Sequence, residues 1–472
     1  MPKILYVAEF VRDHGPIVAD PANARLSTLQ THAWTLTIAL PSNTLVRHGR
    51  GDLMPEYRLR VVDAELREAL ESVGAVLIEG PKAVGKTWTA SQVSSSEVRL
   101  DVDDRARAAS GLDPSIALIG ANPRLIDEWQ RVGAIWDHVR RAVDDRGQTG
   151  LFILTGSSVP PDEETRHVGA GRFLRLRMRP MTLFEVGRSS AGVSLSATLD
   201  GARVRAGDSG LTFADVADLV VRGGWPRALE LPAPRAQRLV RGYIGEIARA
   251  DVSRASLGRQ RDSRLVGTLL SAYARHVGST ASLNTITADV NGADGSHRSA
   301  TISAYLETLC RLMIVDELPA WDPNLRSRAR LRSAPVRFFV DPSIAVAALG
   351  VSAEALLRDP NTFGFLFENL VIRDLRVYAQ AIDATVYHYR DSLDLEANAI
   401  IERRDGRWAA FEVKIGQNQI DAAATHLRRL ADERVDTSKI GEPLALGVIT
   451  ATGYAYTRPD GVHVIPIGAL CP

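Results

Sequence analysis

The sequence Gly80-Pro81-Lys82-Ala83-Val84-Gly85-Lys86-Thr87 follows the apolar run Ala75–Ile78 and opens the helical stretch Thr87–Val93. It has the pattern G-x-x-x-x-G-K-T, which between a strand and a helix is typical of a loop that binds nucleotide phosphates. The two glycines let backbone N–H groups turn inward, and the helix N-terminus adds partial positive charge. We therefore predict that all eight loop residues contact a nucleotide. The ammonium of Lys86 would lie between the β- and γ-phosphates, and the hydroxyl of Thr87 would bind Mg²⁺.

Lysine is rare in this chain, and two of its copies end motifs. Only five of the 57 Lys and Arg residues are lysines. Lys86 closes the phosphate loop, and Lys414 closes the E-x-K sequence Glu412-Val413-Lys414 after an apolar run. A compact ammonium fits between phosphates where a planar guanidinium does not. The lysines therefore indicate two separate chemical sites.

A second predicted strand brings acids toward the phosphate loop. The run Arg124–Ile126 leads into Asp127 and Glu128, about 40 residues after the loop. We expect Asp127 to bind Mg²⁺ and Glu128 to orient or deprotonate the attacking water. A surface strand end with two acids is the alternative.

A third predicted strand, Leu151–Leu154, adds hydroxyl groups. It is followed by Thr155 and, two residues later, Ser157, whose hydroxyls we expect to sense the γ-phosphate. Arg172 and Arg166 are candidates for an arginine that stabilises charge in the transition state. Because arginine is abundant here, an ordinary surface role is the alternative for each.

The bulk composition is that of a soluble globular protein. The chain has 472 residues, 45% hydrophobic and 24% charged residues and a formal net charge of +1. This length predicts about three domains, and the neutral balance means that any nucleic-acid surface is a local patch. The two cysteines form no disulfide framework and no zinc pattern. Without an apolar run near the roughly 20 residues that span a bilayer, we expect a cytoplasmic protein.

The order of patterns predicts an α/β architecture in several parts. Residues 54–195 alternate short apolar runs with helical stretches, which predicts a parallel sheet with crossover helices. Strands are expected to stop beyond Pro180, so residues 196–260 would form a helical lid. Residues 1–53 fit this pattern poorly; we interpret them as an extension outside the fold that starts at Met54, with an extra pair of strands as the alternative.

The C-terminal half is expected to contain two further modules. Residues 261–345 show helix–turn–helix followed by two short strands, which is typical of a winged helix. Residues 346–472 return to mixed α/β, with a helix at Phe363–Ala381 and strands at Thr385–Tyr389, Ala397–Glu402, Trp408–Val413 and Leu444–Ile449.

The ordered motifs resemble those of a known family. GPKAVGKT, PRLIDEWQ, LFILTGSS, GAGRFLRLRMRPMTLFE, GGWP and FEVKIG occur in the order and spacing of the prokaryotic AAA-type P-loop ATPases that carry a nuclease-like C-terminal domain of unknown function. The resemblance runs from about Tyr57 to the C-terminus. It implies ATP binding through Lys86 and Thr87, metal and water handling through Asp127 and Glu128, and a winged helix between two α/β units.

The C-terminal part resembles restriction-endonuclease-like α/β domains of the PD-(D/E)xK class. In that class a helix glutamate, a strand aspartate and an E-x-K pair gather Mg²⁺, and the lysine steadies the attacking water. Glu368 fits the helix glutamate, and Glu412 and Lys414 fit the E-x-K. Asn398 stands where the strand aspartate should be, and an amide removes one formal charge from a cage that relies on carboxylates. We expected Glu396 to point to the opposite face.

This substitution predicts a degenerate nuclease site. The domain would then serve binding or packing, and an active nuclease or a coincidental motif are the alternatives.

A basic series lies beside the predicted winged helix. It recurs at every second position, so an extended chain would place it on one face, as a track for DNA phosphates: Arg326, Arg328, Arg330 and Arg332. His297 and Arg298 would head the recognition helix. Contact with a protein partner is the alternative.

Three functions compete. The leading one is an ATP-binding protein, a slow Mg²⁺-dependent ATPase whose nucleotide state positions C-terminal binding modules. The second is a nucleotide-held regulatory or antitoxin-like binding protein in which hydrolysis is incidental. The third is a DNA-processing ATPase with a metal-dependent nuclease.

Overall fold

The apolar run before the phosphate loop lies inside a five-stranded parallel sheet in the computed structural model, which describes residues 57–156, 169–251, 262–292, 295–322, 334–391 and 395–472. The sheet order is β2-β3-β4-β1-β5. Its strands are β1 Ala75–Glu79, β2 Ser96–Arg99, β3 Arg124–Asp127, β4 Phe152–Gly156 and β5 Phe173–Arg177. Around it lie α1 Val62–Ser72, α2 Lys86–Ser91, α3 Asp104–Leu112 and α4 Ile135–Arg146. The predicted parallel α/β sheet is confirmed.

Apolar side chains cover both faces of this sheet. One face packs on Trp129, Trp136 and Val139, and the other packs on Leu66 and Leu70 of α1. Since every strand runs in the same direction, the carboxyl ends of β1, β3 and β4 meet at one edge. That edge holds the phosphate loop and the predicted acids.

The region after Pro180 differs from the prediction. It contains the short strands β6 Val193–Ser194 and β7 Arg205–Asp208 around α5 Leu195–Leu199, although we expected strands to stop here. Both strands pair with the C-terminal part of the chain. Such pairing between distant parts of the chain leaves no local signal. The helices α6 Phe213–Arg222 and α7 Ala233–Glu246 follow.

Among the described residues before Val315, the segment predicted as a winged helix contains three helices. They are α8 Ser263–Ala274, α9 Leu283–Asn291 and α10 Ser299–Arg311. Two antiparallel bridges follow, Val315 with Phe339 and Leu318 with Val336. The order agrees with the expectation, and the winged-helix assignment stays a prediction.

The last third contributes six strands to a mixed sheet of seven, and β7 is the seventh. Its strand order is β7-β12-β13-β11-β10-β9-β8. The helices are α11 Pro342–Leu349, α12 Ala353–Arg358, α13 Pro360–Ala381, α14 Ile420–Arg429 and α15 Thr437–Ile440. The strands are β8 Ala384–Arg390, β9 Glu396–Arg403, β10 Trp408–Lys414, β11 Leu446–Thr450, β12 Tyr454–Thr457, β13 His463–Pro466 and β14 Leu470–Cys471. The pairs β10–β11 and β11–β13 are parallel, and the other neighbours are antiparallel.

Residues 57–472 pack as one compact unit. One hydrophobic core runs from Leu183 to Leu470 and joins elements on both sides of the expected module boundaries. The boundaries at 195, 260 and 345 therefore stay predictions, as does the extension 1–53, which lies outside the described residues. Within the described part of the chain, none of the helices combines the length and apolar character that crossing a membrane requires.

Candidate nucleotide site and C-terminal cluster

The phosphate loop leaves β1 after Glu79 and enters α2 at Lys86, as predicted. Its backbone is left-handed at Ala83, with φ of 63°, and at Gly85, with φ of 102°. A Cβ atom on Gly80 would lie 2.4 Å from the carbonyl oxygen of Met178. Glycine is thus required at one position by close backbone approach and at the other by conformation.

Lys86 is buried, and carbonyl groups of its own loop hold its ammonium. Nζ donates hydrogen bonds to the carbonyl oxygens of Gly80 at 2.8 Å and Pro81 at 2.9 Å. Burial lowers the pKa of Lys86 to about 8, and the carboxylates of Glu128 and Asp127 oppose this shift. Bound phosphates would favour the charged ammonium further, because a nearby negative charge raises the pKa of a base.

Asp127 joins the helix after the loop to the neighbouring strand. The hydroxyl of Thr87 donates to Asp127 Oδ1 at 2.9 Å. Thr155 pairs with Asp127 in the register of β3 and β4, and its hydroxyl donates to the same oxygen. The structure therefore brings three predicted site residues together, whereas Ser157 lies outside the described residues.

The oxygen atoms at this point suit Mg²⁺. A threonine hydroxyl and an aspartate carboxylate are the hard donors that this ion prefers. Across the described residues, no group of three or more His, Cys, Asp and Glu side chains is placed to hold a metal ion. Mg²⁺ usually takes one or two carboxylates and completes its shell with water and substrate phosphates. Thr87 and Asp127 would thus hold the ion together with a bound nucleotide.

Glu128 turns out of the strand end in a left-handed conformation, with φ of 53°. Burial raises the pKa of its carboxyl, and the ammonium of Lys86 opposes the shift. Gln130 Nε2 donates a hydrogen bond to Glu128 Oε2. Gln130 Oε1 is buried and accepts no hydrogen bond from the described residues. No sequence motif indicated Gln130, whose amide positions the predicted base.

Arg172 lies away from the phosphate loop of its own chain, and its role as the charge-stabilising arginine stays a prediction. It precedes β5, whose last residue, Arg177, pairs with Glu79 at the edge of the loop. Arg172 lies five positions before Arg177, which at about 3.3 Å per residue is a distance of roughly 16 Å. Its Nε instead lies 2.8 Å from Asp144 Oδ1. Arg166, the other candidate, lies outside the described residues.

Arg60 supports the loop from behind, and the sequence analysis missed it. Its guanidinium donates to the carbonyl oxygens of Val84 at 2.9 Å and Arg179 at 2.7 Å. Its Nε also lies 2.9 Å from Glu185 Oε1, and both side chains are buried. A planar group with five donors can make these contacts at once. An isolated arginine before a helix carries no sequence signal of such a role.

The GGWP segment reaches the loop from the other side. Pro226 Cγ lies 3.8 Å from the position of a Cβ on Gly85. The N–H group of Gly224 donates to Asp341 Oδ2 at 2.9 Å, and its carbonyl accepts from the N–H of Met181 at 2.7 Å. The segment therefore links the phosphate loop to the start of α11.

A cavity of about 140 Å³ lies beside this segment. It is lined by the backbone of Gly223 and Gly224, and its remaining walls are apolar and basic. The apolar side chains are Met181, Leu183, Val186, Leu219 and Leu229, and the arginines are Arg58, Arg188, Arg222 and Arg373.

The predicted C-terminal residues also come together. Asn398 Nδ2 donates to Glu368 Oε1 at 2.9 Å, and Asn398 Oδ1 accepts from the N–H of Val413 at 2.9 Å. Lys414 Nζ lies 2.7 Å from Glu412 Oε2. Burial raises the pKa of Glu368 to about 8 and also raises the pKa of Glu412. A protonated Glu368 needs no metal ion to balance its charge.

Glu396 lies on the same side as this cluster, so our expectation that it faces away was wrong. Residues i and i+2 of a strand share a face, and Glu396 and Asn398 are two apart in β9. The charge of Glu396 accordingly contributes to the raised pKa values of Glu368 and Glu412. A Cβ atom on Gly278, between α8 and α9, would lie 3.3 Å from Glu368 Oε2, so this connection borders the cluster.

The predicted DNA track cannot be located. Arg326, Arg328, Arg330 and Arg332 all lie outside the described residues. His297 and Arg298 directly precede α10, where the start of a recognition helix was expected. The N–H of His297 donates to Asn291 Oδ1 at 2.9 Å, which fixes the turn.

Three segments match known protein families. Residues 72–187 match an AAA domain. Residues 213–355 and 363–470 match two different domains of unknown function, DUF8612 and DUF4143. The resemblance to AAA-type P-loop proteins is thereby confirmed for the first segment. The winged-helix and nuclease-like assignments stay predictions.

The similar proteins include two uncharacterized relatives and distant solved structures. Uncharacterized proteins of Mycobacterium bovis and Mycobacterium tuberculosis are each 27% identical over 359 residues, which is 74% of this chain and 72% of theirs. A Walker-type ATPase of Pyrococcus abyssi is 14% identical, with a TM-score of 0.38 over 63% of this chain and 99% of its own. The ORC1 protein of Aeropyrum pernix, solved in complex with DNA, is 16% identical, with a TM-score of 0.26 over 63% of this chain and 94% of its own. From the family match and the geometry of the loop, residues 72–187 are an AAA-type P-loop domain.

Proposed function

We propose that this chain binds ATP and hydrolyses it slowly with Mg²⁺, and that its nucleotide state positions the C-terminal modules. The observation that carries the proposal is the set of contacts around Asp127, where Thr87 and Thr155 donate to one carboxylate oxygen. This oxygen belongs to the strand end beside the buried ammonium of Lys86. Glu128, the next residue, has the raised pKa that suits a general base.

Slow turnover follows from the position of Arg172. An arginine that reaches the transferred phosphoryl group contributes about 10³–10⁵ in kcat. Arg172 lies at the opposite edge of the sheet in its own chain, paired with Asp144. The other catalytic groups would therefore act without it.

The cavity beside the GGWP segment is our candidate for the nucleoside. Its apolar side chains suit the face of a base, and its arginines suit oxygen atoms of the sugar and phosphates. Gly223 and Gly224 line it, and Pro226, two residues on, approaches the phosphate loop. One ligand would thus contact both the loop and this segment.

Helix α13 connects the nucleotide site to the C-terminal cluster. Asp374 Oδ2 accepts from the N–H of Leu183 at 2.9 Å, in the segment that also carries the Arg60 partner Glu185. Arg373 Nη1 lies 2.8 Å from Asp341 Oδ2, the oxygen that holds Gly224. One to two turns earlier, the same helix presents Glu368 to Asn398. If α13 moves as a rigid body, a displacement at the nucleotide site would also displace Glu368, and a displacement at the C-terminal cluster would also displace Arg373 and Asp374.

A second connection runs to the segment after α10. Asp316 lies 2.9 Å from Arg177, 2.9 Å from Arg179 and 2.8 Å from Arg376. These arginines hold its pKa well below the usual range. Arg177 ends β5 beside the phosphate loop. Movement of this strand would therefore displace Asp316 and the neighbouring bridge between Val315 and Phe339.

We further propose that the modules bind rather than cut. Asn398 donates to one partner and accepts from another, so it acts as a structural amide within a nuclease-like fold. The helix–turn–helix and the adjacent arginine series would contact DNA, with a protein partner as the alternative.

The test compares ATP binding and turnover in three variants. Lys86→Ala should abolish nucleotide binding, because the loop amides alone do not offset the triphosphate charge. Glu128→Gln should bind ATP and lose turnover, since it keeps the shape and removes the base. Glu97→Gln, on the exposed side of β2, is the matched control and should behave as wild type. Equal hydrolysis by wild type and Glu128→Gln would remove Glu128 from the mechanism.

A second measurement separates a turnover enzyme from a nucleotide-held binding protein. Steady release of phosphate over many cycles supports the ATPase, and a single burst supports the regulatory alternative. Hydrogen exchange of α13 should differ between ATP-loaded Glu128→Gln and the Lys86→Ala variant. Identical exchange would reject coupling through this helix.

A further inference from the structure

The strands β7 and β12 form one edge of the C-terminal sheet and pair with a register shift between Tyr454 and Tyr456. Val204 and Ala455 are 5% and 4% exposed and point into the core. The residues directly before and after each of them are exposed and face outward. These outward residues are Arg203, Arg205, Tyr454 and Tyr456.

The outward face combines exposed rings with unpaired charges. Tyr454 is 63% exposed and Tyr456 is 42% exposed, unusually high for such large rings. Arg203 and Arg205 are exposed and form no ion pair with any described residue. Tyr456 lies opposite Arg205 in the antiparallel register. An open groove of about 600 Å³ runs along these strands.

We propose that this face binds single-stranded nucleic acid, with bases stacked on the two tyrosines and phosphates held by the two arginines. Stacking on aromatic side chains beside a basic track is the general chemistry of single-strand binding. Residues two apart in a strand are separated by roughly 7 Å, which leaves room for a base on each ring. Asp208, opposite Tyr454, repels phosphate and so limits the track at that end.

Single strands fit this face better than the other polyanions. A duplex keeps its bases stacked inside, so the tyrosine rings would have no partner. An acidic peptide would meet the arginines and leave the rings unused. The surface is separate from the predicted winged helix and does not depend on the proposed ATPase function.

The test uses the full chain and a fluorescent thymidine oligomer in an anisotropy titration. Tyr454→Leu with Tyr456→Leu keeps apolar bulk and removes the rings; it should weaken binding at least tenfold, since stacking contributes about 1–3 kcal/mol per base. Tyr454→Phe with Tyr456→Phe keeps the rings and should bind as wild type. This pair separates stacking from any effect on the fold.

Charge is tested by salt dependence. Arg203→Ala with Arg205→Ala should reduce the slope of log affinity against log salt by about 1.4, at roughly 0.7 per phosphate contact. The matched control is Arg235→Ala with Arg238→Ala, two exposed arginines on α7. Lys86→Ala should retain binding, so a failed ATPase proposal does not affect the result.

Three outcomes would overturn the proposal. They are tighter binding of duplex than of single strand, equal competition by polyglutamate, and equal affinity of the leucine and phenylalanine variants.

Discussion

Replacing Arg60 by methionine should loosen the phosphate loop far more than the same change two residues earlier. The substitution keeps an unbranched side chain of similar length and removes contacts to Glu185, Val84 and Arg179, at distances of 2.7–2.9 Å. Removing one partner of a buried ion pair costs about 3–5 kcal/mol. Glu185 also accepts from the N–H groups of Val61 at 2.8 Å and Thr182 at 2.7 Å. Since these contacts remain, we expect the lower figure, about 3 kcal/mol.

The control is Arg58→Met. The side chain of Arg58 is 46% exposed, and it forms an ion pair of 3.6 Å with Glu230, whose side chain is 87% exposed. Exposed pairs of this kind contribute about 0–1 kcal/mol. The two variants therefore lose the same charge and the same chemical groups, but only one loses support of the loop.

The assays are urea unfolding and calorimetric titration with ATP. Arg60→Met should unfold at a lower urea concentration than Arg58→Met, and its ATP affinity should fall about tenfold below that of the wild type if 1.4 kcal/mol of the loss lies in the loop. Hydrogen exchange of residues 80–87 should rise in Arg60→Met alone. Equal stability of the two variants, together with wild-type ATP affinity of Arg60→Met, would show that Arg60 does not support the loop.

Four further expectations concern other parts of the chain. Leu229→Trp should fill the cavity and weaken ATP binding while leaving tripolyphosphate binding unchanged, and equal loss for both ligands would move the nucleoside elsewhere. Glu368 has a pKa raised from 4.5 to about 8, so the native state keeps its proton longer than the unfolded chain. The stability is complete below pH 4.5 and is lost as pH rises through 8, by about 5 kcal/mol at 1.36 kcal/mol per pKa unit. The melting temperature of Glu368→Gln should therefore rise relative to that of the wild type between pH 4.5 and pH 8. Parallel pH profiles of the two melting temperatures would contradict the raised pKa. Asn398→Asp should tighten Mn²⁺ binding in calorimetry if a degenerate nuclease site is present, whereas destabilisation by about 1–3 kcal/mol without tighter binding would show that Asn398 is only structural. A chain starting at Met54 should fold and bind ATP like the full chain, and a large drop in melting temperature would show that residues 1–53 are integral.

Local patterns were sufficient for the parallel sheet and for its phosphate loop. The strand before the loop was predicted at Ala75–Ile78 and is found at Ala75–Glu79. The helix predicted at Phe363–Ala381 is found at Pro360–Ala381. In both cases the apolar run and its flanking turn or cap lie within a few residues, so the signal is continuous in the sequence.

Contacts between distant segments could not be predicted in this way. Arg60 and Glu185 are 125 residues apart, and β7 joins a strand near the other end of the chain. The residues around each partner form no sequence motif that would indicate the contact. For Arg172 the motif was visible in the sequence, but its position at the edge of the sheet away from the loop depends on strand pairing that the sequence does not show.

The Glu396 error has a different cause and a consequence for the C-terminal cluster. Side chains of a strand alternate between two faces, so Glu396 and Asn398, two residues apart, lie on the same face. The cluster then contains three carboxyl groups and one ammonium around a hydrogen-bonded amide. Burial favours the neutral form of Glu368, and the like charges of Glu412 and Glu396 favour it further. With a proton on Glu368, the cluster needs no metal ion to neutralise this carboxyl group. It can therefore be stable as part of the packed interior. Because Glu368 lies on the helix whose other end is fixed beside the nucleotide loop, this proton is also a local reporter of whether nucleotide binding reaches the C-terminal sheet.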